Sequence, residues 1–587
     1  MKRDIPKPLN NDTTIEQVEK AMSRGLSDHE PEDGAFKMTW QLWLAMASFQ
    51  LGYMSTLFST SMTSTIMSEI NADIGPSTSY TWMAYAQLFC TAVLCPSFGR
   101  LSDVYGRRNF LIVGNIIGVI GCVVAATAQQ VKTLIIGSAF IGVGNAIQEL
   151  ALTCVAEMVP RRSRFLAMGL FQASAFPASV FGPVIAFSIV KDGSWRGTFW
   201  LTFSLDLTAC ALTILFYNPV HQYDRVEGKT GLQLFLGLDW FGNFLFIAGI
   251  AILGVGLLTG GKEFPWKSAT VITLMIVGGL LLVALLVWER YTKIKESFFP
   301  KEFFTSVRGS AVLIQAAGFF GMAYYSTSTL WPQQVAILYT RDTMAVRWYT
   351  SAFGAAGCLA GPIAGYFITQ FGHARWVLTG NLMLLTTCLG AQAIVTPGSY
   401  VASTVLVALI GFCVTSVTVA AVTMIQLDVP HNYIGTATGV AITCRSMGGA
   451  IGLVVYSSVL SSRFSSNLPF MAAKPLAMAG VNPKAIPGIL QALLTGNPKN
   501  PALKGISPEI LAIAAKGIKS AFASALRITF LTSISFAAIA LILVAFSADV
   551  DHLMTRQVDV KLAADKGLTA GTSQPRPTGS CRGRSKC

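Results

Sequence analysis

Apolar runs of about 20 residues recur along this chain, separated by short polar segments. Each run is long enough for one helical crossing of a bilayer. The pattern predicts fourteen spans, at about 40–58, 80–98, 110–128, 133–156, 165–190, 198–217, 239–260, 269–288, 309–330, 347–369, 377–395, 399–423, 435–460 and 522–546. Residues 1–39 and 547–587 read as polar tails, the second one basic and, from Thr555 to Cys587, expected to be disordered. Residues 461–521 read as a long loop rich in Pro, Gly and Ala, in which 508–520 are expected to form an amphipathic helix lying on the membrane, a re-entrant piece being the alternative.

Charge then chooses an orientation. An even number of spans puts both ends on one side. Arg107 and Arg108, then Arg161, Arg162 and Arg164, then Arg290, Lys293, Lys295, Lys301 and Arg308 fall in alternate loops on the face shared with the ends. The loop between the third and fourth spans has only Lys132. Short cytoplasmic loops carry the excess of Lys and Arg, so both termini are expected in the cytoplasm. The lysines of 461–521 face outward in this scheme and weigh little, because long segments count less. The first 37 residues are polar and not a signal peptide, so the first span is expected to target the chain to the membrane.

Composition narrows the function. The 587 residues are 52% hydrophobic and only 12% charged, whereas soluble domains carry about 25% charged residues. The net charge of +14 follows from the loop bias and the basic tail, so no nucleic acid partner is expected. Eleven cysteines are scattered, several within spans (Cys90, Cys122, Cys210, Cys413). Without a CxxC or a Cys/His cluster, neither a disulfide framework nor a metal site is expected. All five histidines fall in loops or tails, and no Walker pattern or HExxH appears. The chain is therefore read as a transporter without a cofactor, not an enzyme.

The two ends of the apolar region echo each other. Gly99-x3-Asp103-x2-Gly106-Arg107 aligns with Gly365-x3-Thr369-x2-Gly372-His373, the second copy having lost the acid. Val159-Pro160 aligns with Val429-Pro430, and Gly169-x8-Ala178-x3-Gly182 with Gly439-x8-Gly448-x3-Gly452. Three matches in order, at an offset of about 270, predict duplicated six-helix halves. They bound a first half at 40–217, a linker with two extra helices at 218–308, and a second half at 309–546.

The stretch Gly99-Arg-Leu-Ser-Asp103-Val-Tyr-Gly106-Arg107-Arg108 resembles the loop between the second and third helices of major facilitator transporters. Its glycines allow a tight turn, and Asp103 can cap a helix or pair with an arginine. Gly169-x8-Ala178-x3-Gly182-Pro183-x2-Ala186 resembles the fifth-helix motif of proton-linked antiporters in that superfamily. Its small residues permit close helix approach, so it is expected to form a gate between the halves. The start of the seventh span, Leu238-Asp239-Trp240-Phe241-Gly242, resembles the corresponding point in fourteen-span relatives, and an Asp cap with an interfacial Trp explains it as well. The resemblance implies an all-α membrane protein of major facilitator fold, with two inserted helices making fourteen.

Ionisable groups inside the membrane are costly, so each marks a candidate site. Glu149, in Asn145-Ala-Ile-Gln148-Glu149, is the first candidate for carrying the coupled proton, and Asp206 the second. Glu157 is expected to pair with Arg161, Arg164 or the Asp103 loop as a latch. Arg445 needs a partner, and Glu149 or a substrate could supply it. The arginine and the glutamine of the family's fourth span are absent here, which puts Glu149 and Arg445 forward. Gln50, Tyr53, Asn145, Gln148, Tyr324, Tyr325 and Trp331 lie on helices that line the cavity in relatives. An apolar cavity with few polar anchors suits an amphipathic molecule.

Over about 40–550 the chain is most similar to the fungal trichothecene efflux pump family, on Ser68-Glu-Ile-x3-Ile74-Gly75, the Asp103 loop, Gln148-Glu149-Leu150 and Ala156-Glu157-Met-Val-Pro160. The resemblance implies a monomeric plasma-membrane pump, an intracellular vesicle membrane being the alternative, that exports a toxin or other secondary metabolite against protons. Uptake of ferric siderophores is the second reading, and a non-transporting nutrient receptor a third. The 461–521 loop holds no Tyr, His or Asp and a single acid, Glu509, which favours export.

Overall fold

A computed structural model describes residues 39–219, 237–260, 264–292, 307–394, 398–430, 433–495 and 506–558, apart from positions 78, 341, 480, 483, 484, 556 and 557. Residues 1–38 and 559–587, and the basic residues Lys293, Lys295 and Lys301, lie outside the described residues.

Fourteen long helices account for the described chain. They are α1 (Trp40–Ile74), α2 (Trp82–Tyr105), α3 (Arg107–Ala126), α4 (Val131–Met158), α5 (Arg161–Asp192), α6 (Arg196–Phe216) and α7 (Trp240–Thr259). Then come α8 (Ala269–Tyr291), α9 (Val312–Gln334), α10 (Thr343–Phe371), α11 (Ala374–Gln392), α12 (Tyr400–Asp428), α13 (Ile434–Leu468) and α14 (Pro508–Ala545). A segment inside lipid must satisfy its backbone internally, which leaves the helix as the answer to every long apolar run. Ten of the helices are apolar enough to cross a membrane by composition alone. The other four, α1, α2, α9 and α11, carry more polar residues and bury them, as α1 does with Ser48, Ser55, Thr56, Ser59 and Thr63.

The helices pack as two six-membered bundles, α1–α6 and α9–α14, with α7 and α8 paired beside α2. The bundles meet along two seams, α2 against α13 and α5 against α10. Lipid tails are as apolar as leucine, so helices gain little from burying greasy surface and associate through close backbone approach. The seams follow that rule twice over. A Cβ on Gly99 would sit 2.5 Å from the Gly435 carbonyl oxygen, and one on Gly365 would sit 2.3 Å from that of Phe165. A Cβ on Gly439 would meet Pro96 at 2.7 Å, and one on Gly169 would meet the Gly361 oxygen at 2.1 Å. Each pair is the other's counterpart in the duplicated sequence.

The structure corrects the reading of 461–521. Residues 461–468 continue α13, and 508–521 continue α14 without a break. The expected surface helix at 508–520 is therefore the first part of α14. Its apolar face has a protein partner, not lipid: Ala514 and Ile518 pack with Ala472, Leu476, Ile489 and Leu490 in a small helical cap. The described part of the segment extends two rods and adds the short helices of the cap between them. Asp239 accepts from the Gly242 amide at 2.8 Å and from Trp288 Nε1 at 3.0 Å, so it caps α7 and clips it to α8.

Gly169→Ala drives a methyl into backbone and should lower the apparent melting temperature of the detergent-purified protein, by an energy on the order of 1–3 kcal/mol. Gly279→Ala, where a Cβ meets nothing within 4 Å, should leave it unchanged in the same thermal scan.

Candidate functional site

The α2–α3 turn needs its second glycine, because Gly106 has a φ of 93°, a region that L side chains rarely adopt. Three residues earlier on α2, within the same turn of chain, Asp103 crosses to the other bundle. Its carboxylate accepts from the Gly435 amide at 3.0 Å, the Thr436 amide at 2.8 Å and the Thr436 hydroxyl at 2.9 Å. These amides begin α13, where unpaired donors and the helix dipole both favour an anion. Arg107 donates to Asp103 at 3.0 Å, to Glu157 at 2.7 Å and to the Thr153 hydroxyl. The side chains of Asp103, Arg107 and Glu157 are at most 5% exposed. Of the partners expected for Glu157, the Asp103 loop is one, reached through Arg107. Arg100 adds a second contact across the seam, its guanidinium 4.8 Å from the centre of the Tyr433 ring. Arg108 does something else, donating to the Ile214 carbonyl at 2.9 Å on the last turn of α6 and so holding the turn to its own bundle.

The fifth-helix motif divides. Gly169 faces α10, whereas Gly182 faces Ser61 and Phe58 of α1, and Ala178 and Ala186 pack in the same α1 cluster. Only part of the motif therefore forms the seam between the halves. Positions nine apart lie on opposite faces of a 3.6-residue helix, and a wider turn over Pro177–Phe181, just before Pro183, adds to the change of face. The seam is continued by Gly354 beside Ser179, by the Ser351 hydroxyl on the Val180 carbonyl at 2.9 Å, and by Arg347 stacked 3.6 Å over the Phe187 ring.

Between the bundles, deeper than the Asp103 cluster, lies a cavity lined by Tyr53, Glu149, Met168, Gln172, Thr418 and Arg445 among others. Its volume of about 20 Å³ holds a water and little more, whereas organic ligands occupy pockets of roughly 300–1,000 Å³. Glu149 sits where α4 breaks its regular pattern, at the turn Glu149–Leu150. Arg445 comes from the other bundle. The two opposite charges face one cavity without touching as an ion pair. Gln172 Oε1 and Arg445 Nε are both buried there with no hydrogen-bond partner. Tyr53 rests on Phe171 with ring centres 4.9 Å apart. Tyr325 occupies the notch left by Gly449, beside Tyr324, and Tyr324 stacks on Phe353. Both tyrosines lie within electrostatic reach of Arg445.

Other candidates fall elsewhere. Asn145 donates to Ser59 at 3.3 Å and Gln148 to Asn115, so these amides knit the first bundle together. Asp206 is buried against Gly118 and Ser55, inside the first bundle and away from Arg445. Gln50 is half-buried and does not line the cavity. Trp331 is 1% exposed and donates to the Tyr349 carbonyl at 3.0 Å, as a core residue of the second bundle. Sequence reasoning missed Gln172 and Thr436. Gln172 was findable as a lone amide in an apolar run, three residues after Gly169.

The fold and the shared cavity define a major facilitator transporter, a multi-pass membrane protein and not an enzyme. The chain belongs to the fungal trichothecene efflux pump family, whose family model matches residues 14–582. It is thus a membrane efflux transporter. It is 24% identical over 572 residues to a trichothecene efflux pump of Fusarium sporotrichioides, covering 95% of both chains. To a multidrug resistance protein of Bacillus subtilis it is 23% identical, covering 71% of this chain and 79% of that one. A crystal structure of a human organic anion transporter superposes with a TM-score of 0.50 at 11% identity, covering 85% of this chain and all of the other, a likeness of fold.

Removing one partner of a buried ion cluster leaves uncompensated charge, at a cost of about 3–5 kcal/mol. Arg107→Ala should therefore lower the apparent melting temperature far more than Arg108→Ala, compared side by side in detergent.

Proposed function

We propose that this protein exports an amphipathic organic molecule, a toxin or other secondary metabolite, across the plasma membrane in exchange for protons. In this reading it works as a monomer with both termini in the cytoplasm. The observation that carries the reading is the pairing of Glu149 and Arg445, one from each bundle, across a single cavity that also offers an unpartnered Gln172 oxygen and Arg445 nitrogen. With Glu149 ionised, its carboxylate can accept from a donor group of the substrate in the cavity that it shares with Arg445. With Glu149 protonated, that anionic acceptor is lost and the substrate is released. Proton and substrate then compete for Glu149, which is what exchange requires. Tyr53, Tyr324 and Tyr325 supply aromatic surface for the apolar part. The bundle-to-bundle hydrogen bonds of Asp103 hold the end that carries Arg107, Arg108, Arg161 and Arg162, and the excess of arginine there supports a cytoplasmic assignment. Asp103 thus acts as the catch on the cytoplasmic side and Glu149 as the proton carrier. The names of the relatives support export of a fungal metabolite.

The test is flux of labelled compounds in cells with and without the protein, over a panel of terpenoid and polyketide toxins and ferric siderophores, with and without a protonophore. Lower toxin accumulation that a protonophore abolishes is the expected result, and protein-dependent accumulation of iron would overturn it. Glu149→Gln should abolish the proton-dependent flux while the protein still reaches the membrane, and wild-type pH dependence in that variant would remove Glu149 from the role. Asp103→Asn should slow transport without changing which compounds are carried.

A further inference from the structure

The two repeats grip the opposite bundle alike except at one point. Gly365 approaches Phe165 and Leu166 as Gly99 approaches Gly435 and Thr436. The residue in register with Asp103, however, is Thr369, and its hydroxyl is buried with no hydrogen-bond partner. The second repeat cannot cap a helix of the first bundle.

A carboxylate arrives at this end of the molecule from another part of the chain. Beyond α14, Asp551 accepts from the His373 amide at 2.6 Å and from the Ala374 amide at 3.3 Å. These amides start α11, and the positive φ angles of Gly372 (69°) and His373 (60°) turn the backbone there. The segment that carries Asp551 is held on both sides. Val550 is 1% exposed, Leu553 and Met554 pack on the core of the second bundle, and Arg375 donates to the Ala545 carbonyl. The chain then reaches the first bundle, where the Thr555 carbonyl accepts from the Arg162 amide at 2.9 Å in the turn that opens α5.

We propose that residues 545–555 form a strap that ties the two bundles together at the arginine-rich end, in place of the acid that the second repeat lacks, with Asp551 as its positioning residue. Asp551 fixes the strap to α11, and the Arg162–Thr555 bond fixes it to the other bundle. The arginine-rich end cannot open while both hold. The strap therefore sets how much of the protein stands closed at that end, whatever the substrate and whether or not protons drive it.

The chain carries its own reporters. Cys95 is buried on α2 under Gly439, and Cys358 is buried on α10 facing Ser179 of α5, so each lies in one seam. Cys388 is buried on α11, away from both. The experiment measures maleimide labelling of each cysteine by peptide mass spectrometry on the full-length protein in detergent. Arg162→Pro removes the amide donor, and Asp551→Ala frees the strap from α11. Each should raise labelling of Cys95 and Cys358 by about 3–10-fold, the weight of one or two hydrogen bonds, with Cys388 unchanged. Asp551→Glu should stay near the wild-type rate. Unchanged seam labelling in either disruptive variant would overturn the strap, and so would an equal rise at Cys388, which marks fraying of α11 alone. Because the readout involves neither flux nor protons, its failure would leave the exchange reading standing, and the reverse.

Discussion

Inside a bilayer, apolar surface has nothing to flee from, and this removes the force that assembles soluble cores. Two six-helix bundles in lipid must be joined by what remains: backbone brought against backbone, and polar groups that find partners only across the joint. The seams consist of little else. Gly99, Gly169, Gly365 and Gly439 are glycine because a single methyl at any of them would enter the facing main chain or its first side-chain atom. The charges then go where the backbones are already close. Asp103, Arg107 and Glu157 are affordable at the seam because α13 presents its open amides to them.

The same economy explains the difference between the two sets of buried charge. The cluster at the α2–α13 seam is saturated, every ion contacting at least one of opposite sign or a helix end. Glu149 and Arg445 are held apart, and polar atoms around them remain unpaired. A saturated cluster is a fastening. An unsaturated pair retains free energy that a proton or a ligand can still collect, and in a membrane that residue of unmet demand is what makes a site.

Much of this was legible in the sequence, and the reasons differ by residue. The fourteen helices follow from run length, since lipid permits no other backbone. The Asp103 loop was legible because its glycines and charges lie within ten consecutive residues. Its target was not: Gly435 and Thr436 are more than 330 positions away, and only the duplication hinted that α13 would lie there. Glu149 and Arg445 stood out as charges in apolar runs, whereas Asn145, Gln148 and Asp206, equally polar, turned to neighbours within their own bundle. Sequence shows that a polar residue needs a partner and is silent about which side of the helix the partner occupies. The segment 461–521 was misread because proline and glycine suggested a loop, while the apolar positions of 508–520 found Ala472 and Leu476 above the bundle. The strap at 545–555 escaped notice altogether, since two aspartates beyond the last span carry no pattern.

The length of α13 has a mechanical side. Its 35 residues run unbroken from Ile434 to Leu468, about 52 Å at 1.5 Å per residue. One end is pinned by Asp103, and the other is joined through the small cap to α14. A rod of that length works as a lever, because a tilt of about 5° at the pinned end carries the far end by about 4–5 Å for a helix of this rise. A change of one hydrogen bond at the pin, too small to resolve by most optical methods, is thus written large at the cap, which makes the cap the place to attach a spectroscopic ruler.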